Sequence, residues 1–261
     1  MKKLVRIAFL LLIFCQLVPG AEAQKRRWTQ LGKAGDWANT VDLVALNGSL
    51  YSIETDGTLW RTDENGVYEK LAGKGTFQDV QALVALDGYL FTLEGDGELY
   101  RTDPATLRWE KLGDEWENTA GIVALNGFLY SIETDGTLYQ TDKNGNWKQL
   151  GAKGSFGNAT LLGALNGALW TVEGGTLYRN DPRSLRWTQV GKAGDWAETV
   201  AMVGDQGFLW SLESNGTLFK TDTSGNYQQI GEEGSYQQMT HLAALNGYLF
   251  TIENGTLYRT R

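Results

Sequence analysis

The chain holds one cysteine, Cys15, and one histidine, His241, among its 261 residues. Cys15 falls in an N-terminal stretch expected to be removed, which leaves no disulfide framework and no thiol chemistry, and a single histidine argues against Ser–His catalysis and histidine-based metal sites. Past the N-terminal stretch, no segment approaches the roughly 20 consecutive apolar residues of a membrane helix. No segment sustains a 3.6-residue apolar period, so amphipathic helices are not expected. Positive charge is also short, with 23 lysines and arginines against 31 aspartates and glutamates, a formal net charge of −8. An acidic surface argues against nucleic acid, whose phosphates need a basic face, and equally against insertion into or binding to anionic membranes.

The N-terminal stretch reads as an export signal. Lys2, Lys3 and Arg6 precede an apolar run from Ile7 to Leu17, and Ala21-Glu22-Ala23 supplies a small-x-small cleavage site. Residues 1–23 are therefore expected to be a secretory signal peptide, with a secreted mature chain, extracellular or periplasmic, starting at Gln24. Phe14 stands where lipid attachment at Cys15 would want a small residue. Removal of Lys2, Lys3, Arg6 and Glu22 leaves 20 basic against 30 acidic residues, or −10. Residues 24–261 suffice for one large β domain whose stability rests on its core.

What the chain has in abundance is repetition. Glu54, Glu94, Glu133, Glu173, Glu213 and Glu253 mark the same place in six copies of one unit, 39 or 40 residues apart. A fixed period of this size signals a repeat architecture. Units begin near 28, 68, 109, 147, 187 and 227 with an aromatic on a short strand, such as Trp28 to Leu31. A glycine-bearing loop follows and ends in a second aromatic: Trp37, Phe77, Trp116, Phe156, Trp196 or Tyr236. Then come an apolar strand, an Asn-Gly type turn, a strand such as Leu50 to Glu54, a turn such as Thr55-Asp56-Gly57 and a fourth strand. Short strands rich in threonine and aromatics, cut by Asn-Gly and Asp-Gly pairs, are hairpins. In units four and six the third turn shrinks to Gly174-Gly175 and Asn254-Gly255.

Six four-stranded units predict an all-β fold, a six-bladed β-propeller of antiparallel blades. The terminal units lack the polar caps of an open solenoid, which favours a closed ring. The N-terminal strand at Trp28 is expected to complete the last blade beside Thr256 to Thr260, fastening the ring and removing a sheet edge. Odd units carry Trp37, Trp116 and Trp196, whereas even units carry Phe77, Phe156 and Tyr236. Units two and four also share Asp103 to Trp109 and Asp181 to Trp187. The pattern implies duplication of a two-blade unit.

The strand order puts the tip aromatics on one rim with the glutamates and the Asp-Gly turns. Aromatic faces interleaved with carboxylates match the needs of a neutral polyhydroxylated ligand, and repetition adds avidity. The tip aromatics could equally be wedges between blades. Trp28, Tyr51, Trp60 and Tyr100 are expected in the core. The glutamates are expected to hold turn N–H groups or to pair with Arg61, Arg101, Arg179 and Arg259. His241 reads as structural. A carboxylate-pair glycosidase needs one differentiated pair of acids, and these are near-identical copies. Asp63-Glu64-Asn65-Gly66 and Asp142-Lys143-Asn144-Gly145 lack a full calcium loop and read as turns. No metal, cofactor or enzymatic activity is expected. Four glycosylation sequons begin at Asn47, Asn158, Asn215 and Asn254, three of them in tight turns.

The run Trp-x-x-Leu-Gly-x-x-Gly-x-Trp at Trp28 to Trp37, its counterpart ending at Trp196, and the following Asn-Gly-x-Leu-Tyr and Gly-Thr-Leu-Tyr-Arg stretches resemble the repeats of tachylectin-2-type and tectonin-type β-propeller lectins. The resemblance covers the mature chain as a pattern, with a tip loop one residue longer and six blades rather than five. It implies glycan sites between neighbouring blades for N-acetylated or methylated sugars on microbial surfaces. By position, Gly35-Asp36-Trp37, Asp114-Glu115-Trp116 and Gly194-Asp195-Trp196 become the expected contacts, supported by Glu54, Glu133 and Glu213. Phe77, Phe156 and Tyr236 depart from the tryptophan of the pattern. The expected function is a secreted, multivalent, non-catalytic lectin. The alternative is a scaffold propeller whose acidic face takes a protein partner.

Overall fold

A computed structural model describes residues 28–157 and 159–260. The signal-peptide expectation and the sequon residue Asn158 lie outside the described residues. The strand β1 (Thr29–Leu31) precedes blade 1, formed by β2 (Thr40–Leu46), β3 (Ser49–Glu54), β4 (Leu59–Thr62) and β5 (Tyr68–Ala72). Blade 2 is β6 (Val80–Leu86), β7 (Tyr89–Glu94), β8 (Leu99–Thr102) and β9 (Trp109–Gly113). Blade 3 is β10 (Thr119–Leu125), β11 (Phe128–Glu133), β12 (Leu138–Thr141) and β13 (Trp147–Gln149). Blade 4 is β14 (Ala159–Leu165), β15 (Ala168–Glu173), β16 (Thr176–Asp181) and β17 (Arg186–Gln189). Blade 5 is β18 (Thr199–Asp205), β19 (Phe208–Glu213), β20 (Leu218–Asp222) and β21 (Tyr227–Ile230). Blade 6 is β22 (Met239–Leu245), β23 (Tyr248–Glu253) and β24 (Thr256–Thr260), completed by β1. The register Thr29↔Arg259, Gln30↔Tyr258 and Leu31↔Leu257 closes the ring as the sequence predicted.

The turns follow residue chemistry. Asn47 and Gly48 both sit at positive φ (48° and 81°), the twist that a two-residue hairpin requires. On the opposite rim, Asp56 Oδ1 accepts the Thr58 N–H at 3.0 Å and Gly57 closes the turn at φ 80°. Asp135 and Asn215 repeat that cap on Thr137 and Thr217. Asp63 and Asp142 accept two backbone N–H groups each, so the stretches that invite comparison with calcium loops are carboxylate-capped turns.

Packing lies between blades rather than within them. Successive side chains on a strand face opposite sides, so Leu50 of β3 joins Phe250, Ile252 and Leu257 of blade 6, while Tyr51 and Ile53 join Val80, Leu83 and Leu90 of blade 2. Leu50, Leu59, Leu90 and Leu99 are fully buried, each contributing roughly 1.5–3 kcal/mol through burial. At the axis, the innermost strands of neighbouring blades touch all the way round. One stretch of that seam is polar. His241 Nε2 donates to the Val41 carbonyl at 3.0 Å, and Asp42 Oδ2 accepts the Leu83 N–H at 2.8 Å. His241 is thus a structural clasp between blades 6 and 1.

The outer rows correct one expectation. Arg61 pairs with Glu69, Arg101 with Glu110 at 2.7 Å, and Arg259 reaches the Glu64 carbonyl. The pleat puts these arginines on the opposite face of the blade from the six repeated glutamates, so those pairs do not form.

Gly57 separates two kinds of turn glycine. A Cβ there would overlap the Phe77 carbonyl oxygen of the next loop, whereas one at Gly48 would meet nothing. Gly48→Ala should therefore cost about 1 kcal/mol of backbone strain, and Gly57→Ala clearly more, as read by urea unfolding midpoints. Equal losses would show that the Gly57 turn is not packed as described.

Candidate functional site: clefts between blades

Each tip aromatic is fixed by one recurring bond. The N–H groups of Trp37, Phe77, Trp116, Phe156, Trp196 and Tyr236 donate at 2.9–3.1 Å to the carbonyls of Gly255, Gly57, Gly97, Gly136, Gly175 and Gly216, the turn glycines of the preceding blades. The rings turn inward from there. Trp37, Trp116 and Trp196 are only 4%, 5% and 4% exposed, so they serve as wedges between blades, and only their margins reach solvent.

Among the described residues, the margins of the tip aromatics floor open clefts in blades 1, 2, 3 and 5. Blade 1 has a cleft of about 200 Å³ lined by Asp36, Trp37, Glu54, Trp60, Thr62 and Tyr68. In blade 2, Phe77, Thr92, Glu94, Tyr100, Thr102 and Trp109 line about 210 Å³. Blade 3 has the roomiest of these, about 390 Å³, around Glu115, Trp116, Glu133, Asp135, Tyr139 and Trp147. In blade 5, Asp195, Trp196, Ser211, Glu213, Phe219, Thr221 and Tyr227 enclose about 120 Å³. The expected trios therefore do assemble: Asp36, Trp37 and Glu54; Glu115, Trp116 and Glu133; Asp195, Trp196 and Glu213.

Two aromatic rows that the sequence assigned elsewhere complete the walls. Trp60 and Tyr100 line clefts and are half-buried, as is Trp28, and of the four aromatics expected in the core only Tyr51 is fully buried. On the outermost strands, Tyr68, Trp109, Trp147 and Tyr227 stand exposed. Each meets the middle-strand ring nearly edge-on: Trp60–Tyr68 at 81°, Tyr100–Trp109 at 75°, Tyr139–Trp147 at 86° and Phe219–Tyr227 at 88°. The acid before the tip aromatic steadies two of them, since Tyr68 Oη donates to Asp36 Oδ2 and Trp147 Nε1 to Glu115 Oε2, both at 3.0 Å.

Blades 4 and 6 differ. Trp187 lies tilted against Phe156 with centroids 4.5 Å apart; Trp28 meets Tyr236 edge-on at 5.9 Å, as Tyr68 meets Trp37 at 5.4 Å and Tyr227 meets Trp196 at 6.2 Å. Both tryptophans are half-buried there, unlike their exposed counterparts.

The hydroxyls beneath the clefts follow the same division. Ser52, Thr92, Ser131 and Ser211 occupy the same position on the second strand of blades 1, 2, 3 and 5, and their buried hydroxyls have no protein partner. On the third strand the division does not hold: Thr102 and Thr221 are buried and unpartnered, but so are both amide atoms of the equivalent Asn180 in blade 4. In blades 4 and 6 the equivalent second-strand hydroxyls are engaged, Thr171 with Glu173 at 3.3 Å and Thr251 with the His241 carbonyl at 2.7 Å. An unpaired buried hydroxyl is costly, and of the four on the second strand Thr92 and Ser211 line their clefts, where a hydrogen-bonding ligand can reach them. The sequence does carry their signal: one small polar residue inside each apolar second strand, as in Leu-Tyr-Ser-Ile-Glu.

Electrostatically, the glutamates and the turn aspartates move in opposite directions. Burial pushes the carboxyls of Glu54, Glu94, Glu133, Glu173 and Glu213 upward. Thr119 and Thr199 hydroxyls offset part of this by donating to Glu133 at 3.1 Å and Glu213 at 2.8 Å. Asp56, Asp135 and Asp222 are held low by hydrogen bonds at their turns. Glu94, Asp96 and Glu98 bring three carboxylates within 4.8 Å. Lys111 and Tyr100 both bind Glu98 there, and Asp96 caps the Glu98 N–H, so the cluster is a turn held by its own hydrogen bonds, with one lysine against three acids.

No family model and no curated protein matches the chain. Solved structures do. A catalytically inactive virginiamycin B lyase from Staphylococcus aureus with quinupristin aligns at 18% identity and TM-score 0.59, over 88% of this chain and 82% of that one. The nidogen/laminin complex gives 13% identity and TM-score 0.59 over 74% and 78%. YCF48 bound to a peptide gives 16% and 0.57 over 92% and 83%. These likenesses establish the propeller fold. They extend to a lyase and to propellers bound to protein or peptide, and none of the three is a lectin of the tachylectin or tectonin type.

The opposed shifts fix the sign of the pH response. A raised glutamate stabilises the fold below its ordinary range, and that stability is lost as pH rises through the raised value; a lowered aspartate acts when ionised and loses its contribution as pH falls. Glu213→Gln should therefore gain melting temperature relative to the parent as pH climbs from roughly 4 to 7. Asp222→Asn should be less stable at neutral pH and converge with the parent in acid. Calorimetric melting across pH checks both, and a Glu213→Gln deficit that grows with pH would reverse the assignment.

Proposed function

We propose that the protein is a secreted, non-catalytic, multivalent carbohydrate-binding propeller that takes sugar rings in the clefts of blades 1, 2, 3 and 5. The observation that carries this reading is the coincidence, in the same four blades, of an open aromatic cleft with a buried hydroxyl lacking a protein partner. A sugar ring offers an apolar face to Tyr68, Trp109, Trp147 or Tyr227 and hydroxyls to the groups beneath, and ring stacking with directed hydrogen bonds is how such sites discriminate. Each site is small and open, so useful affinity comes from several sites engaging one branched or polymeric target. The glutamates accept hydrogen bonds, and the raised glutamate beside a lowered turn aspartate recurs in blades 1 and 3 as turn chemistry, so no single pair of acids is set apart for acid–base work.

The second reading, a protein-interaction propeller, draws on the exposed outer-strand aromatics Trp109 and Trp147, since exposed rings of this kind anchor protein interfaces too. Free monosaccharide should compete with a glycan target and leave a protein interface untouched.

The test is a glycan-array screen of the secreted chain beside a Tyr68→Ala, Trp147→Ala, Tyr227→Ala variant. These exposed rings can be removed without cutting into the core, unlike Trp37, Trp116 and Trp196. Loss of one stacking ring should weaken each site by roughly tenfold, and the triple variant, left with the blade 2 site alone, should lose multivalent array binding while melting like the parent. Silence of the folded parent on a broad array would sink the carbohydrate reading.

A further inference from the structure

The four open clefts are not alike in charge. On the outermost strand, the position paired with the middle ring is Lys70 in blade 1 and Lys111 in blade 2. The Lys70 ammonium stands 5.1 Å from the centroid of Trp60, over the ring. Lys111 is bound to Glu98. In blades 3 and 5 the paired residue is glutamine, Gln149 and Gln229. Each turns away, donating at 3.0 Å to the carbonyl of Gly151 or Gly231. These two clefts therefore keep the aromatic walls and the acids but have no lysine at that position.

What remains is a box for a cation. In blade 5 Tyr227 stands at 80° to Trp196 and 88° to Phe219, with Asp195 and Glu213 in the lining. Ring faces are electron-rich, and perpendicular rings enclose a positive group on more than one side, the arrangement that recognises ammonium ions. In blade 3, Glu115 and Glu133 stand beside Tyr139 and Trp147 in the same way; Asp135 lines the cleft too but is already paired with the exposed Lys153 at 3.6 Å. Blade 1 places its own lysine ammonium over the matching ring, which shows where a ligand's ammonium would sit. Beneath, Ser211 and Thr221 in blade 5 are buried, unpartnered and line the cleft, and Ser131 is buried and unpartnered at the same strand position in blade 3.

Resting on the carbohydrate reading above, we propose that the clefts of blades 3 and 5 select a hexosamine ring whose amino group is free rather than acylated. The ammonium enters the aromatic and carboxylate box, and the ring hydroxyls reach the buried serine and threonine. Burial makes Glu133 and Glu213 poor carboxylates in the unliganded chain, and an ammonium beside them offsets that cost where a neutral acetamide does not. The acidic chain, at −8, attracts polymers of such units over longer range.

Titration calorimetry of the intact secreted chain tests this with four probes: the glucosamine tetramer, its fully N-acetylated form, a glucose tetramer and a lysine tetrapeptide. The glucosamine tetramer should bind at least tenfold tighter than the other three. Gln149→Lys with Gln229→Lys, which installs the lysines of blades 1 and 2, should remove that preference while melting like the parent. Equal or tighter binding of the acetylated or glucose tetramer would overturn the ammonium assignment and leave the carbohydrate reading standing. Equal binding of the lysine tetrapeptide would reduce the effect to bulk charge and overturn it too. No binding of any saccharide, here and on the array, would remove both. The parent's ranking of probes decides the matter without either variant.

Discussion

The structure hangs on one backbone hydrogen bond made six times, from the amide of a loop aromatic to the carbonyl of a glycine in the preceding blade. It ties the end of one blade to the start of the next, and the geometry leaves no room for a side chain on that glycine. Because the bond fixes the amide, the aromatic ring has one direction to go, down between two sheets. A propeller has little packing inside a blade, so these wedges and the alternating rows of leucine carry the cohesion of the ring. The three-residue pairing of the first strand with the last completes the same scheme where the chain would otherwise be open.

The candidate site is a by-product of that wedge. A large ring set between diverging sheets leaves a gap above it, and the residues around the gap decide whether it closes or stays open. In blades 4 and 6 a half-buried tryptophan covers the tip ring and the hydroxyl below is bonded within the protein. In blades 1, 2, 3 and 5 the outer ring is exposed, even where Tyr68 and Tyr227 touch the tip tryptophan edge-on, and the second-strand hydroxyl is left unpaired. Two independent features, one aromatic and one polar, thus change together. Such unpaired groups weaken the fold slightly, and proteins concentrate such costs where a ligand compensates them.

Much of this was legible in the sequence. The 40-residue period, the Asn-Gly and Asp-Gly turns and the orphan strand at Trp28 specify the number of blades, the strands of each and the closure, because turn chemistry and period-2 patterning are local properties. The rim shared by Asp36, Trp37 and Glu54 follows from strand order alone. Side-chain burial was harder. Trp37 lies deeper and Trp60 shallower than their types suggest, since depth depends on how far two sheets diverge. The glutamate–arginine pairs failed on the pleat, which sends Glu54 and Arg61 to opposite faces. The lectin resemblance made the loops of Trp37, Trp116 and Trp196 the expected contacts, yet blade 2, with Phe77 in place of tryptophan, is open because Trp109 does not fold back as Trp187 does.

The central claim is that ligands enter between blades over the tip aromatics. A crystal structure with the saccharide selected by the array tests it most directly. The account predicts electron density for the sugar against the outer rings of blades 1, 2, 3 or 5, within hydrogen-bond reach of Ser52, Thr92, Ser131 or Ser211, with blades 4 and 6 unoccupied. Density confined to the axial channel, to the opposite rim or to blades 4 and 6 would contradict it.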